Sequence, residues 1–297
     1  MEPYEQAVTV LPKHLREAAL SLSFEKRQAA EELRLRVGQP MTAVLAGVEY
    51  PLTDAPVTVR DLERLVDLAS QASLHTVLDQ LSQGYLTLPG GHRLGLCGRA
   101  VLREGRVQSL RDFSSANLRI ARQVPGAARP VVGQLWMGDR LANTLILAPP
   151  GLGKTTLLRD LVRCLSSGES AVPLRVGVAD ERGEVAALWE GRPQLDLGPR
   201  TDVVEGCPKA EGLILLLRAM NPRVLAVDEI TAPADVEALE QAAGCGVSLL
   251  ATAHGQSRSD LERRPLYRKL LSAGILERMI LIRREGGARV YEVEELN

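Results

Sequence analysis

The chain has 297 residues, of which 45% are hydrophobic and 25% charged, a composition that suits one large or two ordinary globular domains and excludes a disordered chain. Its 36 Lys and Arg residues against 37 Asp and Glu residues leave a formal net charge of -1, which excludes a global attraction to nucleic acid or to an acidic membrane surface. No C-x-x-C pair, export signal or bilayer-spanning apolar run is present, so we expect a protein of the reducing cytoplasm without a zinc site or disulfide.

The first part of the chain alternates between helix and strand patterns. Helical periodicity around residues 14–35 is followed by the alternating segment LRLRVGQPMTAVLAG, which predicts strands. A second helix is predicted over residues 59–83, where apolar residues recur at helical spacing. The segment YLTLPGGHRLGLCGRAVL has two alternating runs around Gly90 and Gly91 and predicts a hairpin. Together these elements predict an α+β domain.

Proline, glycine and alanine gather between residues 123 and 133, in the segment QVPGAARPVVG. Such a composition between two periodic regions is typical of a linker. We therefore predict two domains, a smaller N-terminal α+β domain over residues 1–128 and a second domain over residues 129–297.

The second domain is predicted to alternate short apolar strands with helices. Strands are expected over residues 144–148, 174–179, 224–228, 248–253 and 279–283, and helices after Lys154, Gly183, Cys207, Pro233 and Ser259. This alternation predicts a mostly parallel sheet wrapped by crossover helices. The carboxyl ends of such strands share one edge of the sheet, and ligands of open α/β sheets bind at that edge.

The octet APPGLGKT, residues 148–155, nearly matches the phosphate-binding pattern G-x-x-x-x-G-K-[ST]. Alanine replaces the first glycine, which makes only the turn out of the strand and can be replaced where φ stays negative. An apolar strand before the loop and the run TTLLRDLVRCL after it supply the strand–loop–helix context in which backbone N–H groups converge on phosphate. The alternative is a structural Gly/Pro turn.

An ATP site gives these residues separate tasks. Gly151 and Gly153 permit close approach of the backbone to the phosphates. Lys154 reaches the β- and γ-phosphates, and the Thr155 hydroxyl completes the shell of Mg²⁺. We expect the nucleotide to contact Pro150, Gly151, Leu152, Gly153, Lys154, Thr155 and Thr156.

The segment RVLAVDEI ends a second apolar strand in Asp228 and Glu229. We expect Asp228 to hold Mg²⁺ together with Thr155, and Glu229 to polarise the attacking water. Adjacent carboxylates at a strand end also occur in solvated turns, so this interpretation depends on the phosphate loop upstream.

Polar residues also follow two neighbouring strands, in the segments VADERGE and ATAHG. They are Asp180, Glu181, Arg182, Glu184, Thr252 and His254. A group at the tip of a neighbouring strand can hydrogen-bond the γ-phosphate or the lytic water, and we assign such a role to His254. The alternative for this residue is a structural histidine with satisfied hydrogen bonds.

These blocks together resemble the family of stage III sporulation protein AA, which is similar to the type II and type IV secretion ATPases. The segments that carry the resemblance are EELRLRVGQP, GGHRLGLCGRAV, SSANLRIARQV, APPGLGKTTLLRDL, VADERGE, GPRTDVVEGCPKAEGLILLLRAMNPRVLAVDEI and ATAHG. The resemblance covers nearly the whole chain in the same order, including N-terminal blocks that ordinary ATPases do not share.

The resemblance implies a RecA-like P-loop core that follows the N-terminal domain in the chain. It also implies a ring of subunits, expected to be a hexamer, with ATP and Mg²⁺ bound between the subunits. The N-terminal domain is expected to close over the bound nucleotide. In that family an acidic segment and a histidine segment line the site; here they match Asp180-Glu181 and residues 252–254. This sequence has Asp228-Glu229 where the secretion ATPases have a glycine-glutamate pair, and its histidine segment is short. Whether Glu181 or Glu229 polarises the water therefore stays open.

An oligomeric ATPase often takes an arginine from a neighbouring subunit, because charge on the γ-phosphoryl group in the transition state needs a cation that arrives on closure. Arg200, in the segment GPRTD, is the first candidate, and Arg119 and Arg122 in NLRIAR are the second. The alternative for each is a surface ion pair.

The predicted function is that of a Mg²⁺-dependent ATPase whose ring powers a secretion-like channel complex between mother cell and forespore. We expect a cytoplasmic homo-oligomer recruited in the mother cell to the membrane face by membrane proteins of that complex. One rival is a helicase-like ATPase that handles nucleic acid, against which the net charge and the lack of basic, aromatic-rich segments speak. Another is a nucleotide-binding switch without turnover.

Overall fold

The computed structural model describes residues 2–70, 81, 84–169, 171–286 and 288–296. The chain packs as two compact units, one formed by Met1–Arg122 with Ala187–Gln194 and the other by Gln123–Ala186 with Leu195–Asn297. We call them the N-terminal unit and the core unit. The domain division between residues 128 and 129 stays a prediction; in this packing the Pro- and Gly-rich segment 123–133 belongs to the core unit.

The secondary-structure elements are numbered here in chain order. The helices are α1 (Pro3–Ala7), α2 (Lys13–Leu20), α3 (Phe24–Ala29), α4 (Val59–Ala69), α5 (Lys154–Ser167), α6 (Lys209–Ala219), α7 (Pro233–Gly244), α8 (Arg258–Arg263) and α9 (Pro265–Ser272). The strands are β1 (Ala30–Arg36), β2 (Pro40–Leu45), β3 (Val48–Pro56), β4 (Tyr85–Thr87), β5 (Arg93–Arg103), β6 (Arg106–Arg119), β7 (Trp136–Met137), β8 (Arg140–Leu141), β9 (Thr144–Ala148), β10 (Val176–Asp180), β11 (Leu188–Trp189), β12 (Arg192–Pro193), β13 (Thr201–Glu205), β14 (Val224–Val227), β15 (Ser248–His254), β16 (Arg278–Glu285) and β17 (Ala288–Glu295). None of the helices described here combines the length and hydrophobicity needed to cross a membrane.

The N-terminal unit is built on an antiparallel sheet with the strand order β3-β2-β1-β6-β5-β4. Leu33, Leu94 and Leu118 are fully buried, and they share one face of the sheet because they lie directly opposite one another on β1, β5 and β6. Leu62 and Leu65 of α4 pack into the same core. The unit therefore has the predicted α+β character.

Helices in this unit are shorter than their sequence patterns indicated. Residues 14–35 form α2, α3 and then β1, because Ser23 caps a new helix and Leu33 and Leu35 alternate as strand residues buried between β2 and β6. α4 covers the first part of the helix predicted over 59–83, whose residues 71–80 and 82–83 lie outside the described residues. The predicted hairpin is confirmed, with β4 and β5 antiparallel around Gly90 and Gly91.

The core unit contains a seven-stranded sheet with the order β13-β10-β14-β15-β9-β16-β17. Its first six strands are parallel, and β17 pairs antiparallel with β16. The five predicted strands correspond to β9, β10, β14, β15 and β16, with ends that shift by up to two residues. β13 and β17 were not predicted. The parallel arrangement brings the carboxyl ends of β9, β10, β14 and β15 to one edge.

One helix prediction in the core unit is wrong. The residues after Gly183 form a loop because the buried Asp180 carboxylate accepts the backbone N–H groups of Glu184, Val185 and Ala186, at 2.9, 3.0 and 2.8 Å. Ala187 then adopts a φ of 51°, which lies outside the range of a right-handed helix. The carboxylate at the end of the preceding strand thus decides the backbone conformation of this segment.

Candidate functional site

The phosphate loop spans residues 149–153, between the end of β9 and the start of α5. Gly151 and Gly153 have φ values of 76° and 94°, a left-handed conformation that strains residues with a side chain. Ala148 is the last residue of β9, pairs with His254 of β15 and does not have a positive φ. Alanine is therefore compatible with the position where the pattern has its first glycine.

Lys154 begins α5, and its ammonium group lies beneath the loop. Nζ donates to the carbonyl oxygens of Ala148 and Pro149 at 3.1 and 3.2 Å, and it lies 2.7 Å from Nδ1 of His254. Burial lowers the Lys154 pKa, while the negative charges of Asp228 and Glu229 oppose this shift. The loop lysine is thus held among acceptors at the carboxyl edge of the sheet.

His254 lies between Lys154 and Glu229, the second residue of the pair Asp228-Glu229, which we call the DE pair. An ammonium group has only donors, so we assign Nδ1 of His254 as the acceptor of this hydrogen bond. Nε2 is 3.2 Å from Oε1 of Glu229. The structure therefore contains a continuous chain Lys154–His254–Glu229 that joins the phosphate loop, β15 and the end of β14.

Asp228 is oriented by two hydroxyl groups. Thr155 Oγ1 donates to Oδ2 and Thr252 Oγ1 donates to Oδ1, both at 2.6 Å. Thr252 is fully buried and also accepts the backbone N–H of Glu229 at 2.8 Å. The predicted Mg²⁺ residues Thr155 and Asp228 are thus in direct contact, and Thr252 holds the DE pair from behind.

These oxygen donors fit Mg²⁺, which keeps several water molecules and binds through few protein oxygens together with phosphate. Within the described ranges, no group of three or more His, Cys, Asp or Glu side chains could hold a metal ion. The Thr155 hydroxyl and the Asp228 carboxylate are oxygen donors of the kind that Mg²⁺ prefers.

Glu229 is held in a constrained conformation. Its φ is 56°, which is uncommon for a residue with a long side chain and is often found at functional sites. Its carboxylate lies between His254 and Arg182, whose Nη1 is 3.2 Å away. Arg182 lies in the segment VADERGE, and its residue type alone did not predict this contact with Glu229.

The two acidic residues at the end of β10, Asp180 and Glu181, make different contacts. Asp180 anchors the loop that follows it, and burial raises its pKa. Glu181 forms an ion pair with Lys209, a buried residue at the start of α6 that sequence analysis missed. Glu181 and Glu229 nevertheless line the same cleft, together with Arg182, Glu184, Lys209, Asp180 and Asp228.

Arg200, the first candidate arginine, lies away from this cleft. Arg200 precedes β13, whose first residue pairs with the first residue of β10, so it lies at the opposite end of the strands from Asp180. Its Nη1 donates to the Ser166 carbonyl at 3.2 Å, at the end of α5. Arg119 and Arg122 belong to the N-terminal unit, where Arg119 pairs with Glu32 at 3.7 Å and Arg122 donates to the Ala30 carbonyl at 2.6 Å.

The remaining residues of the predicted phosphate contact lie along the same loop and helix start. Pro150 is exposed, and Leu152 and Thr156 are half-buried.

Arg159, one turn further along α5, donates from Nε to the Val185 carbonyl at 2.8 Å and from Nη2 to the Glu184 carbonyl at 2.6 Å. This contact ties the helix to the acidic loop, and nothing in the sequence pattern of the helix predicted it.

Comparisons with known proteins agree with this geometry. The family model "Sporulation stage III, protein AA" matches residues 1–293. Stage III sporulation protein AA of Bacillus subtilis (strain 168) is 40% identical over 279 residues, which cover 94% of this chain and 90% of that protein.

Solved structures show a similar fold. The ATPase DotB of Yersinia pseudotuberculosis aligns with a TM-score of 0.65 at 15% identity, covering 96% of this chain and 80% of that one. The pilus retraction motor PilT with bound ADP aligns with a TM-score of 0.59 at 19% identity, covering 92% and 81%. The predicted fold class, a RecA-like core with mostly parallel strands behind a smaller N-terminal α+β domain, is confirmed.

Proposed function

The chain belongs to the Sporulation stage III, protein AA family, and we propose that it is a Mg²⁺-dependent ATPase of the secretion type. The observation that carries this proposal is the 2.6 Å hydrogen bond between Thr155 and Asp228. It joins the hydroxyl of a phosphate loop to the carboxylate at the end of a neighbouring strand, which is the arrangement that holds Mg²⁺ in P-loop NTPases.

ATP binding uses groups that already converge on the loop. The backbone N–H groups at the start of α5 donate hydrogen bonds to the phosphate oxygens, and the helix dipole favours the negative charge there. Lys154 exchanges its carbonyl partners, Ala148 and Pro149, for phosphate oxygens, because an anion is the stronger partner for an ammonium group. Mg²⁺, when bound, neutralises charge on the β- and γ-phosphates.

Movement of Lys154 toward phosphate changes the state of His254. Its Nδ1 loses the donor that now lies 2.7 Å away, while Nε2 stays beside Glu229. The hydrogen bonding of His254 thereby depends on whether a γ-phosphate is bound. Because His254 also contacts Glu229, the carboxylate proposed to act on water, Glu229 responds to the γ-phosphate as well.

Glu229 is the proposed base for the attacking water. Its contacts with His254 and Arg182 are both 3.2 Å, and both partners can move away without leaving a buried charge unpaired. Glu181, in contrast, neutralises Lys209, whose side chain is only 6% exposed. Using Glu181 as the base would leave that buried ammonium group without its partner, which is costly.

The wider function follows from the family and from similar proteins. DotB is described as an ATPase and PilT as a pilus retraction motor, and we extend their type of work to this chain. In the proposal, the chain forms a ring, expected to be a hexamer, that powers a secretion-like channel complex at the mother cell–forespore membranes. Membrane proteins of that complex recruit it to the cytoplasmic face in the mother cell.

The test is Mg²⁺-dependent ATP hydrolysis by the purified chain and by its Glu229→Gln variant. The amide keeps the shape of the side chain but cannot take a proton, so we expect ATP to stay bound and turnover to fall by roughly 10²- to 10⁴-fold. Glu237→Gln is the matched control, since Glu237 forms only an exposed ion pair with Lys269 on the α7 surface.

Two results would contradict the proposal. Turnover that persists in Glu229→Gln and disappears in Glu181→Gln would assign the base to the acidic segment. A wild-type chain that binds neither ATP nor its analogues with Mg²⁺ would refute the ATPase itself. Mass measurement with and without an ATP analogue tests the ring, because a protein that stays monomeric in both states cannot form one.

A further inference from the structure

The hairpin of β16 and β17 lies next to the phosphate loop. β16 runs parallel to β9, so the carboxyl end of β16 and the start of β17 lie at the edge where β9 enters the loop. A Cβ atom placed on Gly153 would lie 3.0 Å from Cζ of Arg289 and 3.3 Å from its Nε and Nη1. The Arg289 guanidinium therefore lies against the loop backbone, directly before the first residue of α5.

A second arginine lies beside it. Arg284 on β16 is directly opposite Arg289 on β17 in the strand register, so both side chains belong to the same face of the hairpin. Both residues are exposed, and within the described part of the chain neither side chain forms a hydrogen bond or an ion pair. Two like charges directly opposite each other destabilise a strand pair.

The hairpin offers no carboxylate nearby to balance these charges. By strand alternation, Glu285, Glu292 and Glu294 fall on the other face. Glu295 shares the face of Arg289 but lies at the far end of β17, in an ion pair with Arg278. The arginine pair thus meets the phosphate loop with its charge uncompensated by its own strands.

Further positive potential comes from the loop. The N-terminus of α5 carries the positive end of the helix dipole, and Lys154 lies beneath the same loop with its own ammonium charge. Several positive groups therefore lie around the loop backbone at residues 151–154. A bound polyanion is the ligand that such an arrangement stabilises, because each group gains a charge-assisted hydrogen bond.

We infer that Arg289, supported by Arg284, binds the phosphate groups of the nucleotide from within the same subunit. This inference deepens the proposed function and rests on it, since the ligand is the triphosphate of the proposed ATP site. In this arrangement the planar guanidinium group of Arg289 lies beside the loop and can donate hydrogen bonds to two phosphate oxygens. Arg200, at the opposite end of the strands, makes no such approach within its own chain.

The test measures binding of two probes to the full chain by calorimetry with Mg²⁺: a non-hydrolysable ATP analogue and inorganic tripolyphosphate. Arg289→Ala should weaken both by roughly 10- to 100-fold, the range for a lost charge-assisted hydrogen bond. Arg289→Lys should recover part of the loss, because the charge remains while the fork does not. Arg284→Ala should weaken both probes less.

Arg283→Ala is the matched control. Arg283 neighbours Arg284 on β16, lies on the other face by alternation, and pairs with Glu292 at 3.2 Å. We expect it to bind both probes like the wild type. Thermal unfolding adds a readout that a purely structural role would not produce: Arg289→Ala should unfold at a higher temperature than wild type without ligand, and tripolyphosphate should stabilise it less.

Each outcome decides between the proposals. If the wild type and Arg283→Ala bind both probes and Arg289→Ala binds them equally well, the arginine inference fails while the ATP site stands. If Arg289→Ala loses affinity only for the nucleotide and keeps it for tripolyphosphate, the arginine contacts the nucleoside and the inference is overturned. If the wild type binds neither probe, the proposed ATP site itself fails.

Discussion

Thr252 is expected to set the Mg²⁺ requirement of the site through Asp228. Replacing Thr252 by Val removes the hydroxyl that donates to Asp228 Oδ1 at 2.6 Å and accepts the Glu229 N–H at 2.8 Å. Each buried group left without its partner costs about 1–3 kcal/mol. Because Asp228 is half-buried and water can reach it, we expect a loss of about 2–3 kcal/mol in the free energy of unfolding.

Thr252→Val should change the Mg²⁺ requirement of ATP hydrolysis more than a substitution outside the site that lowers the free energy of unfolding by the same amount. Without the Thr252 hydroxyl, only Thr155 orients the Asp228 carboxylate, so the Mg²⁺ concentration that gives half-maximal ATP hydrolysis should rise by about tenfold, as expected for a residue that orients a metal-binding group. The assays are chemical denaturation for stability and a Mg²⁺ titration of turnover at saturating ATP.

Thr144→Val is the control for this prediction. Thr144 is as deeply buried on the adjacent strand β9, but its hydroxyl donates only to the Ala142 carbonyl, at 2.8 Å. The control should lose about 1 kcal/mol of stability and keep the wild-type Mg²⁺ requirement. Equal Mg²⁺ curves for the two variants would refute the reasoning that Thr252 positions Asp228.

Two further predictions concern a buried histidine and the candidate arginine. Burial lowers the pKa of His92 to about 4, so the unfolded chain binds a proton first as pH falls, and stability should be lost between pH 6.5 and 4, by up to about 3 kcal/mol. In His92→Asn, whose amide oxygen can accept the Ala121 N–H as Nδ1 does at 3.0 Å, urea unfolding should show a smaller loss over this pH range; an unchanged loss would contradict the role of His92. If Arg200 acts on a neighbour's γ-phosphate, Arg200→Ala mixed with Lys154→Ala should regain hydrolysis that neither has alone. No recovery in mixed oligomers verified by mass would leave Arg200 only its contact with Ser166.

Much of the core unit could be predicted because its signals are local. Short apolar runs ended by polar residues predicted β9, β10, β14, β15 and β16, since a strand buried on both faces of a parallel sheet must be apolar along its length. β13 and β17 carry half-exposed and charged residues, TDVVE and ARVYEVEE. Edge strands need no continuous apolar run, so the same signal could not find them.

The helix predicted after Gly183 failed for a different reason. Its pattern of residues does not exclude a helix, but the Asp180 carboxylate takes the N–H groups that the segment would present. A hydrogen bond between a strand end and the following loop depends on where the strand ends, and periodicity carries no information about that.

In the candidate site, too, some residues could be predicted from local sequence, whereas others depend on contacts between distant parts of the chain. The residue types of the loop and of the pair Asp228-Glu229 predicted a nucleotide site, because the tasks that such a site gives to Gly151, Lys154 and Thr155 can be performed by few other residues. The roles of Thr252, Arg182 and Lys209 depend on which groups they touch, and those partners come from other strands. Arg289 carries no motif at all and reaches the loop only because β17 folds back along β16.

The sequence by itself therefore determined the fold class and the family, and it predicted the phosphate loop and the pair Asp228-Glu229, since these depend on local periodicity and on short runs whose chemistry is specific. Tertiary structure alone decided which hydroxyl orients Asp228, which cation neutralises Glu181 and which arginine approaches Gly153. Hydrogen bonds and ion pairs act over about 3 Å, and residues far apart in the chain come within that distance only when parallel strands bring their carboxyl ends to one edge.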